Sequence, residues 1–137
     1  MLNKLIYYFL FILSILVIGV YGRYRCTHTD FKDPLETQLF YELDGWSVSH
    51  YIFYALIGFL YPDQFFLTLI LGICWELFEH YYGTQRPGWL GGYGDCPALA
   101  SDKTTDGNWW YGKWTDIICN ILGFLTGQYI REGSIFV

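Results

Sequence analysis

Charge is scarce in this chain. Only 15% of its 137 residues are Asp, Glu, Lys or Arg, and 8 basic residues stand against 13 acidic ones, for a formal net charge of −5. No basic tail or polybasic patch exists, which argues against a nucleic-acid partner and against recruitment to anionic lipid by charge alone. The sequence also holds no Cys-x-x-Cys, no phosphate-binding glycine loop, no nucleophile-elbow serine, no internal repeat and no low-complexity tract. Redox-dithiol, P-loop and solenoid readings therefore have no motif to start from.

What is present is apolar. A hydrophobic content of 53% with 22% aromatic residues exceeds that of an ordinary soluble domain, and the length suits a single domain. The expectation is an all-α integral membrane bundle of four transmembrane helices, forming one membrane domain over residues 1–137. Leu5 to Gly22 is an uncharged apolar run of spanning length, with Lys4 before it and Arg23 and Arg25 after it. A secretory signal is the rival reading, but the run is long and bulky and no small-x-small cleavage site follows.

Arg23 to Gly45 is too polar to span and reads as a surface loop, with room for a helical turn around Pro34. Trp46 to Tyr61 is the second predicted helix, closed by the turn signal Pro62-Asp63. The third runs from Phe65 to about Tyr82 and the fourth from about Trp109 to Ile130, separated by the glycine-rich loop Gly83 to Asn108. A chain that alternates sides places both long loops on one face. His50, Glu76, Glu79, Asp116 and Asn120 then share a depth near that face.

Glu76 and Glu79 interrupt an otherwise apolar run, FFLTLILGICWELFEHYY. A carboxylate at bilayer depth costs several kcal/mol on any scale, so such residues usually turn inward toward a cation, a metal or a proton partner. Their i,i+3 spacing puts them on one helix face, as the i,i+4 spacing does for Asp116 and Asn120. Gly123 and Gly127 continue the second stripe and let a neighbouring helix approach closely. Glu76, Glu79 and Asp116 are the first-choice ligands for a divalent cation, since hard cations take several oxygen donors. His50 is the natural general base, with an unperturbed pKa near physiological pH. The plainer alternatives stay open. Helix three ending early would leave both glutamates solvated, His50 would serve as a structural hydrogen-bonding residue, and Asp116 and Asn120 would pack helices.

Trp109, Trp110, Tyr111 and Trp114 suit an aromatic belt at headgroup level. Asp102, Asp106 and Asn108 lack the spacing of an EF-hand and read as a solvated loop. Cys74 and Cys119 fall within helices as small apolar fillers. Cys26 and Cys96 fall in the two loops that share a side, where a disulfide would mark an oxidising compartment; Arg23 and Arg25 favour a cytoplasmic loop instead. Orientation stays open at this point.

The strings Asp44-Gly-Trp-Ser-Val-Ser-His50, Trp75-Glu76-Leu-Phe-Glu79, Trp109-Trp110 and Asp116-Ile-Ile-Cys-Asn120-Ile-Leu-Gly123-Phe-Leu-Thr-Gly127 resemble the core of the base-exchange phosphatidylserine synthases. The order agrees across residues 44–127. The same skeleton is similar to that of the VanZ-like membrane proteins, grouped with the synthases in the Lipocone superfamily. The resemblance implies a calcium-dependent transferase in which serine displaces choline or ethanolamine from a phospholipid. It assigns His50, Glu79 and Asp116 to catalysis, Glu76, Glu79 and Asp116 to the metal, and Asp44, Arg86 and Asn120 to the substrate. The expected partners are a phospholipid and a small polar headgroup such as serine, within a membrane, with an oligomer allowed. Asp116 precedes Asn120 by four positions where the synthases have five, which is closer to the VanZ-like spacing. Acidic residues that bracket the synthases' double tryptophan are replaced by Asn108 and Tyr111. A VanZ-like protein acting on a lipid or lipid-linked saccharide, and a non-enzymatic membrane or envelope component, are the alternative readings.

Overall fold

A computed structural model describes residues 2–28, 32–85, 87–90 and 112–137. Among them the chain is mostly helical, in the order α1 (Leu2–Thr27), β1 (Gln38–Phe40), β2 (Leu43–Asp44), α2 (Gly45–Leu60), α3 (Phe65–Gln85) and α4 (Trp114–Glu132). Short 3-10 turns occupy Pro34–Glu36, Pro62–Gln64 and Gly88–Leu90. The chain divides into two compact units, residues 1–32 with 82–111 and residues 33–81 with 112–137.

In the first unit α1 outruns the predicted span, carrying Arg23 and Arg25 within the helix. The segment Lys4–Thr27 is long and apolar enough to cross a membrane, and it is the one helix among the described residues that passes alone. Leu5, Phe9, Ile12, Leu16 and Val20 along it are exposed. Its end is closed locally: the Thr27 hydroxyl donates to the Tyr24 carbonyl at 3.0 Å, and His28 stacks on Tyr24. Cys26 is disulfide-bonded, Cys74 and Cys119 are free thiols, and Cys96 lies outside the described residues.

The second unit holds α2, most of α3, and α4. Pro62 lacks the amide a helix needs, so α2 stops at Leu60 and α3 departs at 120°. Together these two helices pass as a bent span or a re-entrant loop. The predicted loop before α2 contains a two-stranded antiparallel ribbon, Gln38 pairing with Asp44 and Phe40 with Leu43. Nothing in so short a stretch alternates strongly enough to announce it.

Glycine sets the α2–α4 contact. A Cβ on Gly127 would fall 1.9 Å from the Ala55 carbonyl oxygen, and one on Gly123 would fall 2.3 Å from that of Tyr51. The two backbones touch there, as small residues four apart permit. The Tyr51 hydroxyl donates to Thr126 Oγ1 at 2.9 Å, and Phe124 is buried edge-on against Phe65. At the far end Gln128 is fully buried. Its amide nitrogen donates to the carbonyls of Pro62 (2.8 Å) and Phe136 (2.7 Å), and its oxygen accepts the Phe136 amide at 3.0 Å.

The polarity of this unit is inverted. Val48, Ile52, Ile70, Leu77, Ile118 and Leu122 face outward, while Asp44, Ser47, Thr68, Glu76, Asp116 and Asn120 are buried. A water-soluble bundle places these classes the other way round.

Candidate functional site

Asp44 opens the site by capping α2. Its Oδ1 accepts the Ser47 amide at 3.0 Å, satisfying a donor that the first helical turn leaves without an intrahelical partner. Its Oδ2 pairs with the Lys113 ammonium, which is brought in by the residue preceding α4. The Ser47 hydroxyl, buried one turn into α2, donates across to Asp116 Oδ1 on α4. Two carboxylates, a hydroxyl and an ammonium thereby lock the start of α2 to the start of α4.

One turn deeper, His50 Nδ1 lies 2.9 Å from Asn120 Oδ1 and 3.6 Å from Glu76 Oε1. Glu76, only 4% exposed, splits its oxygens between two environments. Oε2 accepts the Lys113 backbone amide at 3.0 Å. Oε1 has no hydrogen-bond donor among the described residues, and neither does Asn120 Nδ2 have an acceptor. Most buried polar side-chain atoms have a hydrogen-bond partner.

His50, Glu76 and Asp116 each offer a ligand atom, and the three atoms lie within 4.8 Å of one another. Comparison with known proteins gives no matching family model, no matching characterised protein and no matching solved structure. The site therefore stands on its own geometry. Among the described residues, the ion pair of this cluster to an ammonium is that of Asp44 with Lys113.

Of the sequence-predicted residues, the structure brings His50, Glu76, Asp116, Asn120 and Asp44 together. Glu79 is half-buried one helical turn beyond Glu76 and is not one of the three clustered ligands. Arg86 lies outside the described residues, as do Asp102, Asp106, Asn108, Trp109, Trp110 and Tyr111. Two described residues were not legible as site residues. Ser47 bridges both aspartates, and Lys113 supplies an ammonium to Asp44 and an amide to Glu76. The Asp44-x-x-Ser47 spacing is a capping signal that points to Ser47. Only the approach of α4 to α2 and α3 reveals Lys113. Gly112 makes that approach possible, since a Cβ there would fall 2.2 Å from the Glu76 carbonyl oxygen. Gly72 likewise leaves room for the Tyr54 hydroxyl and the Asn120 amide, which a Cβ would meet at 2.7 and 3.0 Å.

Proposed function

We propose that the chain is a multi-pass membrane enzyme of phospholipid headgroup exchange, similar to the phosphatidylserine synthases, in which serine replaces choline or ethanolamine. The observation that carries this reading is the convergence of His50, Glu76 and Asp116, with an orphaned carboxylate oxygen, inside a unit whose outer faces are apolar. A buried polar cluster walled by lipid-facing helices suits a substrate with a charged head and apolar tails. The disulfide at Cys26 supports an oxidising compartment on that side of α1.

Glu76 and Asp116 are the residues that would hold a divalent cation, calcium being the first candidate for oxygen ligands. When bound, such a cation neutralises charge on phosphate oxygens. His50 is better placed as a base than as a ligand, because its Nδ1 is engaged by the Asn120 carbonyl oxygen. That bond puts the proton on Nδ1 and the lone pair on Nε2. The serine hydroxyl gives its proton to His50 as its oxygen bonds to phosphorus. The bond from phosphorus to the old headgroup breaks, and the proton passes to the departing alcohol oxygen. Asn120 holds the ring, and Lys113 with Ser47 holds the two aspartates.

The test is direct. Purified protein in micelles, given phosphatidylcholine or phosphatidylethanolamine, labelled serine and calcium, makes labelled phosphatidylserine, and His50→Ala abolishes it. No exchange with serine or any other amino-alcohol, across a panel of divalent cations, overturns the synthase reading. The second reading, a VanZ-like protein acting on a lipid or lipid-linked saccharide, is favoured by the four-residue spacing of Asp116 and Asn120. A preference for polyprenyl phosphates over glycerophospholipids selects it.

A further inference from the structure

The ribbon before α2 ends in an apolar tip that nothing in the second unit covers. Leu39, Phe40 and Tyr41 are 61%, 77% and 68% exposed, whereas the strand they feed runs directly into buried Asp44. Tyr41 makes the tight turn at φ 51°, a left-handed conformation that favours glycine or asparagine. A bulky aromatic ring held there at a backbone cost is a reason to look for what the ring does outside. Its carbonyl is also fixed, accepting a bond from the Gln38 side chain.

The position of the tip is set by the site. Asp44 pairs with Lys113, and the next residue, Trp114, is 57% exposed. The ribbon and Trp114 therefore project from the same end of the unit. Below them begins the outward apolar face of α2, with Val48 and Ile52 exposed. Aromatic and apolar groups at the end of an apolar wall, with the acidic residues Glu36 and Glu42 alongside, match the level where headgroups meet acyl chains. The acidic neighbours select a zwitterionic surface over an anionic one.

We infer that the Leu39–Tyr41 tip, with Trp114, is a membrane-interface anchor that seats in the headgroup and acyl boundary of a zwitterionic bilayer and holds the mouth of the site at headgroup depth. This rests on the membrane reading of the second unit and adds to it an element outside the helices.

The experiment uses the full chain with Cys74 and Cys119 replaced by serine, reconstituted in phosphatidylcholine bilayers. Single nitroxide labels are placed at position 40, at position 52 on the outer face of α2, and at Asp63 in the α2–α3 turn. Collisional relaxation by oxygen, which concentrates in lipid, is compared with relaxation by a water-soluble nickel chelate. The expected result is an oxygen-to-nickel ratio at position 40 above the value for water-exposed labels and below that at position 52. A water-like ratio at 40 with a lipid-like ratio at 52 overturns the anchor while leaving the membrane reading intact. Water-like ratios at both positions overturn the two together. Tyr41→Gly supplies an independent check. It should relieve the turn, leaving thermal stability equal or higher, while lowering the ratio at position 40; an unchanged ratio removes Tyr41 from the anchor.

Discussion

Replacing Lys113 with Met tests the electrostatics of the site most sharply, because Lys113 does two separable things. Its ammonium pairs with Asp44, and its backbone amide holds Glu76 Oε2 at 3.0 Å. The substitution removes the first and keeps the second. Asp44 is buried, so removing its cation leaves a carboxylate with only the Ser47 bonds to stabilise it. Breaking a fully buried pair costs about 3–5 kcal/mol. Lys113 is 28% exposed, so water takes up part of the loss and about 1–3 kcal/mol is expected here. Asp44→Asn combined with Lys113→Met removes both charges and should recover most of it. The double variant is thus expected to be more stable than Lys113→Met alone.

Cation binding should move the other way. Lys113→Met makes the site more negative by one charge, and on the order of 1–2 kcal/mol, roughly tenfold, should be gained in divalent affinity. The double variant returns the net charge to its starting value and should bind as the unaltered protein does. Thermal unfolding in micelles, repeated across a calcium titration, reads both quantities at once, since a ligand that binds only the folded state raises the melting temperature. Lys113→Met should melt lower without the cation and gain more from it. If it binds no more tightly than the unaltered protein, or if the double variant is no closer to the starting affinity, the charge account of this site is wrong.

Gly127→Leu should lower the melting temperature by an amount equivalent to more than about 1–3 kcal/mol, because its Cβ alone would fall 1.9 Å from the Ala55 carbonyl and neither backbone can yield. Gln128→Leu should release the Phe136 segment, seen as faster amide hydrogen exchange at Phe136, whose amide the glutamine oxygen accepts; exchange unchanged from the starting protein removes Gln128 as the tether. His50→Gln should keep a side-chain partner for Asn120 and leave thermal stability within about 1 kcal/mol while ending headgroup exchange. Retained exchange would take the base role away from His50.

Much of the second unit was legible because its signals are local. The apolar runs gave α2 to within a residue and the start of α3, which continues past Tyr82 to Gln85, and Pro62 stopped α2 by its missing amide. The stripe Asp116, Asn120, Gly123, Gly127 marked a face that meets another helix, and it meets α2. Other features were not legible. The ribbon at Gln38–Asp44 is too short for alternation to show, and α4 is described from Trp114 where the apolar pattern suggested Trp109. Glu79 looked equal to Glu76 because i,i+3 spacing puts both on one face. The clustered atoms distinguish them, since the His50 and Asp116 side chains reach the level of Glu76.

The sequence by itself determined that this chain is helical, that Glu76 interrupts an apolar run, and that Asp116 and Asn120 share one helix face. Periodicity and desolvation cost are properties of single segments, so one segment suffices to read them. The tertiary structure alone decided which atoms meet: that Lys113 serves Asp44 with its side chain and Glu76 with its backbone, that Ser47 bridges two aspartates, and that Glu76 Oε1 is left without a donor. Those pairings join residues up to 69 positions apart. They depend on how closely glycine lets helices approach, a distance that no single helix encodes.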